Sequence, residues 1–474
     1  MKRFLHYALA VLTALSVFSC GKDDPVTEPV NDAPKDMTLS LSSLNVPVEG
    51  GSYSLTVTAP SRPTVSNPSS QWVTVTDGTY SNYKITYGIT VSANAAYEER
   101  TATLTVNSGS LSKTVSLRQA AAEKPVDPDP DPDPESEEGI SKTLVTKDAT
   151  DQAKALYAYL YSIYGQKTLS SVMADVNWNH RIADQVNQMT GEYPAMNCYD
   201  FIHIYVPANN WINYNDLKPV TEWAEAGGIV SLMWHFNVPV NASTTPGADG
   251  SGVTCTPTQT SFRARNVFTS STWENKWFYQ EMDKVAAVLL ALQEKGIAAI
   301  WRPFHEGAGN ATLKSGASWG TAWFWWGYDG AEIYKKLWVT MFDYFASKGI
   351  KNLIWVWTTQ NYNGDAAQYN QDKDWYPGKD YVDIVARDLY GQDAAANVRE
   401  FTEIQKAYPG KMVTLGECGK NGNIPYASVG EAWNAGAKWS WFMPWYGESL
   451  PDTAWWKSAM GHSAVVSRSE VKIQ

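Results

Sequence analysis

The chain has 474 residues, 44% of them hydrophobic and 18% charged, enough to bury a large core and too many for one ordinary domain. Acidic residues outnumber basic ones by 49 to 38, giving a formal net charge of −11. That balance excludes a general nucleic-acid binder, because phosphate contacts need Lys and Arg. Four Cys and six His, with no CxxC pair and no HExxH array, argue against a zinc site, and neither metal nor cofactor is expected. The 22 Trp exceed what packing requires. An indole offers a flat apolar face plus one donor, which suits the apolar face of a sugar ring.

Residues 1–20 read as an export signal, with Lys2 and Arg3 ahead of an apolar run from Tyr7 to Phe18. The run is shorter than the roughly 20 residues that span a bilayer. It ends on VFSC, which resembles a bacterial lipobox with Cys20 as the lipid-bearing residue, and the following GKDD resembles the acidic surface-export signal of Bacteroidetes lipoproteins. The expectation is an outer-membrane lipoprotein at the cell surface, or one facing the periplasm, with residues 21–38 as a linker. With Cys20 acylated, Cys198, Cys255 and Cys418 remain, an odd number that makes no disulfide framework.

Residues 39–120 alternate with period two and are punctuated by Gly, Asn and Ser, the pattern of a small immunoglobulin-like β-sandwich. The run LSLSSLNVPVEGGSYSLTVTA predicts a hairpin about Gly50-Gly51. Trp72 with VTV, the ERTATLTV run and the closing SLRQA resemble the BACON domain of Bacteroidetes carbohydrate-active enzymes. Trp72 is read as a core residue, with a sugar platform as the alternative. Residues 121–139 hold alternating Asp-Pro, an extended, self-repelling spacer.

From residue 140 to 474, strand-like and helical runs alternate about eight times. Strands are expected at 167–173, 193–201, 227–235, 296–305, 351–358, 381–390, 411–419 and 437–445. Eight such units in this length predict a (β/α)8 TIM barrel, so the whole chain is multidomain. An open doubly wound sheet is the alternative, but no GxGxxG turn follows the first strand.

Polar residues gather at the C-terminal ends of these strands: Asp200, His235, His305, Glu306, Tyr390, Glu417 and Trp445. In a barrel those ends converge on one mouth. Glu306 and Glu417 would face each other there, as glycoside hydrolysis requires: one protonates the leaving oxygen while the other attacks or activates water. Arg302 is read as orienting a carboxylate or as part of a structural ion pair. Cys418 is read as buried rather than nucleophilic.

The motifs RPFHE (302–306), WFWWG (323–327), RDLYG (387–391) and LGECG (415–419) resemble glycoside hydrolase family 26, over roughly residues 140–465. The resemblance implies a retaining endo-β-1,4-mannanase with Glu306 as acid/base and Glu417 as nucleophile. It further implies sugar contacts from His235 and His305, a hydrogen bond from Tyr390 to the nucleophile, Trp445 as the floor of the cleaved sugar's site, and Trp323 stacking on the leaving-group side. One departure stands out: ATLKSGASWGTA (311–322) separates RPFHE from WFWWG, where it would sit on the cleft and bear on endo or exo action. The expected partner is β-mannan, acted on by a monomer anchored to a membrane. The same fold acting on mixed-linkage β-glucan or β-1,3-xylan, or a non-catalytic glycan-binding lipoprotein, are the alternatives.

Overall fold

A computed structural model describes residues 33–94, 98–121, 139–175, 178–208, 211–309, 322–360 and 373–473. The chain divides into two compact units, Met1–Asp127 and Pro128–Gln474.

The first unit is all-β. One four-stranded antiparallel sheet runs Thr38–Leu39, Gly51–Thr58, Lys84–Val91, Val73–Thr76. The other runs Ser43–Val46, Leu111–Gln119, Arg100–Ser108, Thr64–Ser66, with its first pair parallel. Alternate residues of both face one core, where Leu55, Val57, Tyr87 and Ile89 meet Leu104, Val106, Val115 and Leu117. Contrary to expectation, Gly50-Gly51 closes no hairpin. The chain crosses there from one sheet to the other, since Ser43–Val46 pairs with Leu111–Gln119 and Gly51–Thr58 with Lys84–Val91. Period-two alternation reports which face is buried, not which strand lies alongside. Gly50 has φ +81°, and a Cβ there would lie 2.1 Å from the Val91 carbonyl oxygen. Trp72 packs against the core, with the Arg100 guanidinium carbon 4.4 Å from its ring centroid.

The second unit is a closed barrel of eight parallel strands. They are Thr168–Met173, Met196–Asp200, Ile229–Met233, Ala299–Arg302, Leu353–Thr359, Ile384–Tyr390, Met412–Gly419 and Trp441–Pro444. Trp441–Phe442 pairs with Leu169–Ser170, and Met196–Cys198 with Ser171–Met173, which closes the ring. The first seven strands are buried along almost their whole length, as two-sided burial demands. Met173, Met233, Ile300, Ile354, Val356, Ala386 and Met443 belong to the inner core. A second layer packs Trp301, Trp355 and Trp357 with helix residues such as Phe345, Trp338 and Met341. The longest helix, Trp273–Glu294, starts where the Thr272 side chain accepts a hydrogen bond from the Asn275 amide. It buries Phe278, Met282, Val285, Leu289 and Leu292, one per turn.

All eight expected strands are present. The fourth was expected over 296–305 but spans only Ala299–Arg302, because Pro303 donates no hydrogen bond and Phe304 turns left-handed at φ +43°.

Candidate active site

The barrel's C-terminal ends carry the cluster. After Arg302 the chain makes a tight turn in which Phe304 (φ +43°) and Glu306 (φ +52°) both sit in the left-handed region. Each such residue costs about 1–3 kcal/mol, so neighbours must hold it. The Tyr334 hydroxyl donates to the Phe304 carbonyl at 2.9 Å, the Trp326 indole to the His305 carbonyl at 2.9 Å, and the Gly309 amide to the Glu306 carbonyl at 3.0 Å. A Cβ on Gly307 would lie 2.2 Å from the Tyr334 ring, so only glycine fits there.

Glu417 is placed by a bulge. Leu415 pairs with Arg387 but Glu417 with Asp388, leaving Gly416 as the extra residue. A Cβ at Gly416 would stand 2.7 Å from Asp388 Oδ1 and 3.5 Å from Arg302 Nη1. Through that space runs a buried ion network. Arg302 Nη1 donates to Thr358 Oγ1 and Asp388 Oδ2, each at 3.1 Å, and Nη2 donates to Glu417 Oε1. The Tyr390 hydroxyl donates to Glu417 Oε2 at 2.6 Å.

These neighbours give the carboxyl groups different characters. Burial, then the negative charges of Asp388 and Glu417, hold the Glu306 carboxyl well above the usual carboxylate range. Burial also pushes Asp388 up, to about 7, with Arg302 pulling the other way. Burial opposes the charge on Arg302, but Asp388 and Glu417 outweigh it and raise its pKa. Burial and the Glu417 charge push the Tyr390 phenol up. One mouth thus holds a carboxyl whose charge is disfavoured and another gripped by a guanidinium and a phenol.

A second chain of contacts flanks them. Asp200 Oδ1 accepts from the His235 amide at 2.9 Å, and Oδ2 pairs with His235 Nδ1. His235 Nε2 lies 3.2 Å from His305 Nε2. Both ring nitrogens of His235 are therefore engaged within the protein. Trp445 and Phe324 each lie 5.8 Å, centroid to centroid, from the His235 ring, and Phe324 stacks on Trp326 at 4.3 Å.

The structure thus gathers Glu306, Glu417, His235, His305, Tyr390 and Trp445. Trp323 is partly buried immediately before Phe324. Cys20 lies outside the described residues, as do positions 310–321, which hold nearly all of the 311–322 insertion. Sequence reasoning missed Asp388 and Phe324. Asp388 lay inside the RDLYG motif, where a charge on a fully buried strand was the available signal. Phe324 had no signal beyond its neighbours in an aromatic run. Cys198 and Cys418 are free and buried, and burial pushes both thiols up, Cys198 to about 12. Among the described residues no group of three or more His, Cys, Asp or Glu could hold a metal ion.

The model for glycosyl hydrolase family 26 matches residues 145–470, and the BACON model, an N-terminal binding domain, matches residues 62–120. A mannan endo-1,4-beta-mannosidase of Thermothelomyces thermophilus is 31% identical over 330 residues, 68% of this chain and 60% of that protein. Mannan endo-1,4-beta-mannosidase A of Piromyces sp is 27% identical over 350 residues, 70% of this chain and 51% of that protein. The chain thus spans little more than half the length of these curated relatives. The solved GH26 domain of a Prevotella bryantii endo-beta-mannanase/endo-beta-glucanase is 59% identical, with a TM-score of 0.68, covering 70% of this chain and 99% of that one. A beta-mannanase from a symbiotic protist of the termite Reticulitermes speratus, complexed with gluco-manno-oligosaccharide, is 29% identical, with a TM-score of 0.56, covering 71% and 99%.

Proposed function

This chain belongs to glycosyl hydrolase family 26, and from that premise we propose that it is a retaining, endo-acting β-1,4-mannanase working on mannan, glucomannan or galactomannan. The observation that carries the reading is the asymmetry of the two glutamates: burial beside Asp388 and Glu417 disfavours the charge on Glu306, while Glu417 is held by Arg302 and Tyr390. In the first step Glu306 gives its proton to the glycosidic oxygen as Glu417 Oε attacks the anomeric carbon. The leaving chain departs with that proton and a glycosyl ester remains on Glu417. In the second step Glu306, now ionised, takes a proton from water, whose oxygen displaces Glu417. No cofactor enters this scheme. Trp445 supplies an apolar face beside the cleaved sugar. His235, with both nitrogens engaged, contributes its ring edge rather than a free donor.

The proposed substrate follows the relatives, which are named as mannanases. Because the 59% identical domain comes from a protein described as both mannanase and glucanase, β-glucan is the second substrate to test. Product analysis on plain and galactose-branched β-1,4-mannan, mixed-linkage glucan and β-1,3-xylan is the experiment. A ladder of manno-oligosaccharides supports the reading. Disaccharide alone from the outset would mean release from chain ends, and activity on glucan or xylan alone would replace the substrate.

We further read Cys20 as the lipid anchor of a monomeric surface lipoprotein, supported by the basic and apolar run that ends on VFSC. The first unit is read as an immunoglobulin-like spacer, supported by its two sheets around one core. Retention of Cys20→Ser variant protein in the membrane fraction would refute the anchor.

A further inference from the structure

We propose that Asp200 is a positioning residue for Glu306, acting through a linear chain, Asp200–His235–His305, that fixes the turn carrying the glutamate. The inference rests on the reading of Glu306 as the proton donor.

The chain starts on the second strand, at a carboxylate that binds the backbone of two mouth loops. Asp200 Oδ1 accepts from the Ile202 and His235 amides, both at 2.9 Å, while Oδ2 takes the His235 ring. It ends on His305, a residue only 1% exposed and directly bonded to Glu306. The His305 ring is enclosed by His235 at 4.5 Å, Phe324 at 5.0 Å and Trp326 at 5.7 Å between centroids. Tyr334 and Trp326 hold the carbonyls of residues 304 and 305, but neither grips a side chain. Among the described contacts the His305 ring's polar partner is His235, while Phe324 and Trp326 pack its faces.

Two imidazole nitrogens 3.2 Å apart attract only when one of them carries hydrogen and the other does not. Asp200 biases that choice. Burial works against charge on His235, but Asp200 outweighs it and carries the pKa up, with Glu417 adding to the rise and Arg302 opposing it. Burial, then the charges of His235 and Arg302, drive His305 far down. Both directions favour His235 carrying hydrogen on both nitrogens, with Nδ1–H donated to Asp200 and Nε2–H donated to Nε2 of neutral His305. Replacing the Asp200 carboxylate removes the charge that makes this arrangement one-way, and the His305 ring loses its fixed partner.

The test compares leaving groups. Glu306→Gln first sets the signature of a missing acid in kcat/KM, which reports the first step alone: a large loss on manno-oligosaccharides, whose leaving alkoxide needs a proton, and a small one on dinitrophenyl β-mannobioside, whose phenolate does not. Asp200→Asn keeps an oxygen for the two backbone amides. It should fall about 10- to 100-fold in kcat/KM on manno-oligosaccharides, the usual effect of breaking an orienting contact. On the dinitrophenyl substrate it should change by less than about threefold. A merely destabilised protein would lose both activities together. Should Asp200→Asn fail to fold, Asp200→Ser also removes the charge while keeping an oxygen and should give the same split. Equal losses on both substrates, or none, in the variant that folds would overturn the chain. Glu306→Gln without the split would overturn the acid reading and the chain with it.

Discussion

Arg302→Met puts the ion network to its hardest test. The wild-type guanidinium is 4% exposed and contacts Asp388 and Glu417, whose side chains are 0% and 7% exposed. Methionine fills much of the same volume but leaves two buried carboxyls without a cation. Breaking one buried pair typically costs about 3–5 kcal/mol, and two acids lose their partner here, so at least that range is expected at neutral pH. The deficit should depend on pH with a definite sign. Burial holds Asp388 up at about 7 even with Arg302 present, and removing the cation lifts it further. The folded variant then keeps a proton that the unfolded chain has released, so stability falls as pH rises from near 4 through the folded pKa. The deficit should therefore be smaller at pH 5 than at pH 8. Urea unfolding followed by tryptophan fluorescence reads the barrel, because every Trp except Trp72 falls after residue 139 in the sequence. Adding Asp388→Asn to the variant should restore at least about 1 kcal/mol at pH 8, since one of the stranded acids is then neutral. A deficit below about 1 kcal/mol at both pH values would mean that Arg302 is not what neutralises the two acids, and the assignment of Glu417 as the gripped carboxylate would fail.

Asp388→Asn in an otherwise unchanged protein removes a like charge that lifts Glu306, so the alkaline limb of kcat/KM should move to lower pH. An unmoved limb would detach it from Glu306. Tyr390→Phe deletes the 2.6 Å hydrogen bond to Glu417 and should lower kcat about 10- to 100-fold, the worth of one bond to a charged group. Tyr334→Phe frees the Phe304 carbonyl in the strained turn and should cost about 1–2 kcal/mol of barrel stability, with kcat falling more than KM changes. Gly50→Ala forces a Cβ toward the Val91 carbonyl and should lower the melting temperature of the all-β unit by calorimetry, leaving mannan turnover unchanged.

The barrel was legible because two-sided burial writes itself as unbroken apolar runs: LIWVWT at the fifth strand and IVA at the sixth need no partner information to be recognised. Glu306 and Glu417 were legible because a charge ending such a run has few structural explanations. The Gly50-Gly51 hairpin failed for the converse reason, since alternation in a two-sheet unit is satisfied equally by a strand beside its neighbour or across from it. The turn at 304–307 lay beyond pattern reading altogether. Its left-handed residues are a phenylalanine and a glutamate, which local preference would not place there, and they are held by Tyr334 and Trp326 from later in the chain. Asp388 was hidden in the same way, because its partner Arg302 is 86 positions away.

Two residues of one chemical type are asked to behave oppositely in this mouth, and backbone geometry is what separates them. Glu417 stays on its strand, where a bulge at Gly416 turns it onto Arg302 and Tyr390. Glu306 is taken off its strand by a turn with two left-handed residues and makes no ion pair with Arg302 among its described contacts. Had the fourth strand run on through residue 305, as its apolar pattern suggests, Glu306 would continue its alternation and no strained turn would be needed. The strain is therefore tied to the carboxyl that carries no ion pair among its described contacts and whose charge burial disfavours. Asp388 completes the arrangement: it claims one nitrogen of Arg302, leaving the other for Glu417, while its negative charge helps keep Glu306 protonated. A single buried aspartate thereby orients the cation that grips one glutamate and supplies part of the field that protonates the other, so the proposed roles of Glu306 and Glu417 stand or fall together with it.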